Sequence, residues 1–343
     1  MKEFSPKRRV FAALLGGKVD RPPLTSLAGC GGTVNVDIQN ATGITWPDAH
    51  RDPEKMAKLA IAGYEMTGLE NVRVPFDFVI EPEALGCKIK WPDNPALVPA
   101  VIEHVYKKPE DLKMPDNLLE TGRIPVLLEA IRILRKEVGD FLPISSLALG
   151  PFTLAGELVG TADLMMMIIR NPENVKKFVE FATDFIIEFS KAQYRAGADI
   201  VQIGDPTASG DLISPKMFKE FAKPALIKVA EELKGIRLLH ICGNATPMIQ
   251  DIIECGYDGI SIEEAVDISK VKPLAGDVKI LGNVSSKGHM VMGKPDAVKE
   301  ETLKALDAGV DLLEPGCGIS PPAPLANVKA MAEALEEWVA KRK

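Results

Sequence analysis

Three residues far apart in the chain have the chemistry of soft-metal ligands. His240 and Cys242 stand two apart at the end of an apolar run, IRLLHICGN (236–244), and Cys317 lies in the glycine-flanked LEPGCGI (313–319). Residues i and i+2 on an extended strand share a face. One His and two Cys form a donor set suited to Zn2+, and three protein ligands with an open position is the pattern of catalytic rather than structural zinc. Spacing alone leaves a second reading open, a core histidine packed beside buried thiols. Three carboxylates also end apolar runs. Glu263 follows GISI, where a charge leaving a strand is costly unless paired or metal-bound; Asp205 follows DIVQIG and either caps the next segment or works there; Asp77 stands in VPFDF. Asn283 ends another such run, and Gly316 and Gly318 let the backbone come close to a bound group or cofactor. Cys30, Cys87 and Cys255 have no histidine nearby and are expected to be small core hydrophobes. His50, His104 and His289 lie in polar stretches without a partner at ligand spacing, and are expected to be solvated.

These residues need elements that bring them together. The recurring unit is a short apolar strand ending in a polar residue, followed by a helix. Eight strand candidates result: Pro23–Gly29, Asn71–Phe76, Pro143–Leu149, Asp199–Gly204, Ile236–Ile241, Gly259–Ile262, Val278–Asn283 and Asp311–Glu314. Helices are expected at Pro53–Thr67 with Asp52 as cap, Pro172–Ala196 with Asn171 as cap, and Pro215–Leu233 split by Pro224. Further helices are expected at Thr246–Glu254, Pro295–Ala308 and Pro324–Ala340. Alternating strands and helices imply parallel pairing, and eight units fit a closed (β/α)8 TIM barrel better than a doubly wound sheet. Catalytic groups of such barrels gather at the C-terminal ends of the strands, where Asp77, Asp205, His240, Cys242, Glu263, Asn283 and Cys317 lie. An N-terminal extension precedes the barrel. Phe78–Trp91 reads as a helical turn and small hairpin, Pro95–Pro125 as an elaborated loop, and the LMMMII stretch (164–169) as core packing. The expectation is one domain, residues 1–343.

The 343 residues are 46% hydrophobic with a net charge of −7. Acidity argues against nucleic acid as a partner. No apolar stretch approaches the roughly 20 residues of a membrane span, and the apolar VFAALL is too short for a signal sequence. Five sparse cysteines suit reduced thiols. A cytoplasmic protein is expected.

LLHICGNATPMIQDIIECGYDGISIEE, LGNVSS and LEPGCGISPPAPLANVKAM closely resemble the coenzyme M methyltransferases of methanogenic archaea, within the uroporphyrinogen decarboxylase superfamily. The likeness spans nearly the whole chain, including RVFAALLGGKVDRPPL and RIPVLLEAIRILRKEVG. It implies a (β/α)8 barrel in which His240, Cys242 and Cys317 bind one zinc. The zinc activates the thiol of coenzyme M, which takes a methyl group from a methylated corrinoid on a partner protein. Glu263 is implied as a fourth ligand that the substrate thiol displaces. Two neighbouring activities compete: methyl transfer to a tetrahydropterin or tetrahydrofolate nitrogen, and metal-free decarboxylation of a tetrapyrrole. Asp77 resembles the carboxylate those decarboxylases aim at pyrrole nitrogens, but RPPLTSLAGC (21–30) has a single Arg where they carry an Arg-rich motif. A non-catalytic, zinc-stabilised module that binds a corrinoid protein is a further alternative.

Overall fold

The computed structural model describes residues 4–342; Met1–Glu3 and Lys343, the ends of the expected single domain, lie outside them. Nine strands form: β1 Val72–Val74, β2 Lys88–Lys90, β3 Ala100–Glu103, β4 Ile144–Leu149, β5 Ile200–Gly204, β6 Ile236–His240, β7 Gly259–Ile262, β8 Lys279–Val284 and β9 Leu312–Pro315. Seven of them make one sheet in the order β1-β4-β5-β6-β7-β8-β9, all neighbours parallel. Every residue of β4, β5, β7 and β9 is buried, as in strands covered on both faces.

The remaining gap between β9 and β1 is closed by residues 23–26. Leu24 bridges Leu313 in parallel, and Glu70 N–H donates to Leu24 O at 2.7 Å. The Asn71 side chain then replaces ladder bonds: Ser26 N–H donates to its Oδ1 at 2.8 Å, and its Nδ2 donates to Ser26 O at 3.2 Å. The barrel therefore closes with eight staves, as the sequence pattern requires, the first of them extended chain rather than a regular strand.

Alternation along the staves divides the interior into levels. Ile200, Leu238, Leu281 and Leu312 form a lower apolar layer with Leu27, Val10, Ala13 and Leu14. The last three belong to the helix Pro6–Leu14, capped by Ser5, so the N-terminal extension is the floor of the barrel. Its Arg9 is buried and pairs with Asp20 at 2.7 Å and with Glu70. Two residues further along the same staves, the inner positions are polar: Gln202, His240 and Glu314. The second, larger apolar cluster lies between the sheet and its surrounding helices.

The helix signals hold in most places. Asp52 accepts from Glu54 and Lys55 N–H groups and starts Pro53–Thr67. Pro224 divides the expected long helix into Pro215–Met217, a wide turn at Phe218–Ala222, and Lys223–Glu232. Asn171 precedes Pro172–Ala196 but makes no side-chain cap bond. Two further helices, Pro151–Val159 and Thr161–Arg170, follow β4 before that helix begins. The second carries LMMMII: Leu164 and Ile168 are buried and Met165 and Met167 pack partly against the core, whereas Met166 and Ile169 face solvent, so core packing explains four of the six residues. The helical turn Ile80–Ala84 forms inside Phe78–Trp91 as expected, but the hairpin pairs β2 with β3, which lies outside that stretch in the segment read as a loop. Among the described residues, no single helix is long and apolar enough to cross a membrane.

Candidate metal centre

β6 ends at His240, and the chain turns so that Cys242 folds back on it. His240 Nε2 lies 3.2 Å from Cys242 Sγ and 3.5 Å from Cys317 Sγ, and the two sulfurs are 3.7 Å apart. Ser261 on β7 sits 3.1 Å from His240 Nδ1, so the ring presents its other nitrogen to the sulfurs. Cys317 N–H donates to Ser286 Oγ at 2.8 Å, just past β8. Ser209 Oγ–H donates to the Cys242 carbonyl at 2.8 Å, just past β5. Five stave ends thus position three ligand candidates.

A third sulfur joins them as a fourth donor, and sequence reasoning missed it. Cys30 Sγ lies 3.0 Å from Cys242 Sγ, and the ligand atoms of Cys30, His240, Cys242 and Cys317 all fall within 4.8 Å of one another. Cys30 is therefore not an isolated core thiol. It leaves the first stave on AGCGG (28–32), beside PGCGI (315–319) leaving the last. The two loops interlock without side chains between them. Gly31 N–H donates to Cys317 O, Gly32 N–H donates to Ile319 O at 3.2 Å, and Ile319 N–H donates back to Gly32 O at 3.0 Å. A Cβ on Gly29 would stand 2.4 Å from the Cys317 carbonyl carbon, and one on Gly318 would stand 2.4 Å from Gly31 O. Only glycine permits that approach. The paired Gly-Cys-Gly motifs were the available signal.

Below the cluster, two buried charges hold the first loop. Arg73 on β1 donates to the carbonyls of Ala28 and Gly31 at 3.0 and 2.8 Å, to Gly29 O, and to Gln202 Oε1 at 2.8 Å. Glu314 on β9 accepts from Thr25 Oγ1 and Leu27 N, both at 2.7 Å, and burial pushes its carboxyl up to about 7. The three thiols compete for one negative charge. Hydrogen bonds from Cys242 and Cys30, with His240 nearby, hold Cys317 well below the usual thiol range. Cys242 is pushed up by Cys30 and Cys317; Cys30 is drawn down by Cys242, but Cys317 and burial outweigh that and raise it. One imidazole nitrogen and three sulfurs at these separations fit a borderline or soft divalent cation.

The other candidates fall on either side of this group. Glu263 follows β7 and is half-buried; burial first and Cys317 second raise its carboxyl, although it is not among the four clustered groups. Gly316 passes the same residue closely, since a Cβ there would lie 3.0 Å from Glu263 Cα. Asn283 Nδ2 donates to Val266 O at 2.8 Å and braces the loop that carries Glu263.

Asp77 and Asp205, read from sequence as candidate catalytic carboxylates, are fully enclosed and bonded within the protein. Asp77 takes both arms of Arg123 at 2.9 and 3.0 Å and the Val79 N–H at 3.0 Å, with His50 Nδ1 2.8 Å away. Burial alone would raise its carboxyl; the charges of Arg123 and His50 hold it well below the usual range. His50 is accordingly buried and stacked on Trp46, contrary to the solvated position expected for it. His104 is also tied down, its Nδ1 2.7 Å from Glu157 O, whereas His289 is largely exposed, beside Glu301. Asp205 accepts from Thr153 N and Oγ1 at 2.7 and 2.6 Å and from Phe152 N at 3.3 Å, which caps the helix Pro151–Val159. Its cap therefore serves a helix that precedes it in the chain, not the next segment.

A family model described as uroporphyrinogen decarboxylase matches residues 5–338. The methylcobamide:CoM methyltransferase MtaA of Methanosarcina barkeri is 39% identical over 99% of this chain and 100% of its own length. The methylated-thiol–coenzyme M methyltransferase of Methanosarcina mazei is 38% identical over 98% of this chain and 90% of its own. A solved methyltransferase from Methanosarcina mazei superposes with a TM-score of 0.92 at 41% identity, covering 98% of this chain and 99% of that one.

Proposed function

The chain belongs to the uroporphyrinogen decarboxylase family, and from that premise we propose that it is a corrinoid:coenzyme M methyltransferase. It moves the methyl group of a methyl-Co(III) corrinoid protein to the coenzyme M thiol, with Zn2+ held by His240, Cys242 and Cys317. The observation that carries this reading is the convergence of Nε2 and the sulfurs within 4.8 Å at the C-terminal end of the staves. Full-length likeness to methyltransferases that act on coenzyme M supports the acceptor.

A zinc ion bound there supplies a Lewis acid that deprotonates a thiol at neutral pH while leaving its sulfur nucleophilic. The protein's part is positional. Ser261 fixes which imidazole nitrogen faces inward, and Ser286 and Ser209 fix the backbones of Cys317 and Cys242. Two cysteine thiolates keep the local net charge low, so an incoming sulfur stays electron-rich. That sulfur attacks the methyl carbon in line; the carbon–sulfur bond forms as the cobalt–carbon bond breaks, and the electron pair stays on cobalt as Co(I). The site lies at the barrel end where a corrinoid protein can approach. All five cysteines are free, which suits a reducing cytoplasm, and the whole chain 1–343 acts as one barrel domain.

A tetrahydropterin acceptor gives no reason for a thiolate-forming metal set. The decarboxylase reading needs Asp77 free at the rim, and Arg123 and His50 occupy it. The test is metal analysis followed by methyl transfer from methylcobalamin to coenzyme M and to a tetrahydropterin. The expected outcome is zinc in the wild type, methyl-coenzyme M as the product, and loss of both in Cys317→Ala. Purified protein without zinc would overturn thiol activation, and turnover with pterin alone would move the acceptor. Zinc with neither activity would leave a corrinoid-protein-binding module.

A further inference from the structure

We infer that Cys30 is a fourth, exchangeable ligand of the metal and the group that the substrate thiol replaces. This rests on the zinc reading above and assigns the open position of that site in the resting protein. Zinc–sulfur bonds of about 2.3 Å place the corners of a tetrahedron roughly 3.8 Å apart. The four donor atoms stand near that spacing, at 3.0, 3.2, 3.5 and 3.7 Å for the pairs given above. Cys30 and Cys317 arrive on interlocked glycine loops from the first and last staves, so barrel closure itself brings the third sulfur to the other three donors.

Tethering distinguishes the ligand that leaves. His240 is the last residue of a strand and is held by Ser261; Cys317 N–H is held by Ser286, and the Cys242 carbonyl by Ser209. Around Cys30, Arg73 binds the carbonyls of Ala28, Gly29 and Gly31. Among the described residues, no hydrogen bond holds the N–H or C=O of Cys30 itself. It sits between Gly29 and Gly31, is partly exposed, and can rotate about its own dihedrals while its neighbours stay fixed. Exchange then balances simply. The Cys30 thiolate gives up its bond to the metal as the substrate sulfur takes that place, and the substrate's proton passes to Cys30, which becomes a neutral thiol. Coordination number and charge are unchanged, and no other base is required.

The experiment is X-ray absorption at the zinc edge on the full chain, wild type and Cys30→Ser, with and without coenzyme M. The readout is the number of sulfur neighbours. Wild type keeps three sulfurs in both states, and Cys30→Ser rises from two to three on adding the thiol. In parallel, alkylation of Cys30 in the wild type at about pH 9, where a released thiol ionises to a thiolate more reactive than one bound to zinc, rises several-fold with coenzyme M, read by peptide mass spectrometry. Wild type that rises from two sulfurs to three overturns the role of Cys30 and leaves the zinc reading intact. Four sulfurs after addition overturns the exchange. Wild type that takes up no zinc overturns both. The wild-type arms decide the matter even if Cys30→Ser does not fold.

Discussion

Two buried polar clusters stand at the C-terminal end of the barrel and are satisfied in opposite ways. In one, Asp77 takes both arms of Arg123 and the Val79 N–H beside His50, so its charge is met within the chain. In the other, Cys30, His240, Cys242 and Cys317 turn their donor atoms on one another. The buried cation beneath them, Arg73, spends its hydrogen bonds on carbonyls and on Gln202 rather than on sulfur. A cluster that neutralises itself serves the fold. One with surplus electron pairs is completed by a cation from outside. Burial and a polar character alone do not separate a structural carboxylate from a functional site; the sign of what remains unpaired does.

The comparison breaks hardest at Arg123. Arg123→Met leaves the Asp77 charge buried without its main partner, and should cost about 3–5 kcal/mol in chemical denaturation. Metal content per folded chain should stay at the wild-type level; a loss of metal without a loss of stability would mean that the two clusters are one. Acidity sharpens the contrast next. Asp77, among positive charges, is held low, whereas Asp205, buried among neutral donors, is pushed up from 3.8 to about 6. A depressed carboxyl contributes stability above its unfolded pKa and loses it as pH falls. A raised one contributes stability in acid and loses it as pH rises through its folded value. Denaturation of Asp205→Asn should therefore lose less stability than wild type between about pH 4 and pH 7, by on the order of 2 kcal/mol. Equal slopes would show that Asp205 titrates normally. The smallest effect is expected at Ser261. Ser261→Ala frees His240 Nδ1, and metal affinity measured by chelator competition should fall about tenfold, roughly 1.4 kcal/mol. Unchanged affinity would show that packing alone orients the ring.

His240, Cys242 and Cys317 were legible in the sequence because strand ends can be read from hydrophobic runs, and eight such ends imply one rim. Cys30 was not, because the stave that carries it makes an isolated bridge instead of a ladder, and its nearness to Cys317 depends on closure between chain segments 287 residues apart. Its Gly-Cys-Gly setting carried the information, but only beside the second copy of the motif. His50 looked solvated because its burial against Asp77 and Arg123 is tertiary and leaves no periodic trace, although the stacking on Trp46 four residues earlier is local. Asp205 was placed correctly at a strand end, yet no local pattern tells that its oxygens cap a helix starting more than fifty residues earlier. Regular strands and helices announce themselves by local periodicity; side-chain partners across the barrel do not.

The helix Pro6–Leu14 stoppers the barrel from below, against Leu238, Leu281 and Leu312. A tube closed at one end is a blind alley, with its doorway at the other. On the proposed function, the small thiol and the protein bearing a macrocycle share that doorway. An apolar floor that touches none of the four clustered donors thereby decides from which side they can be reached.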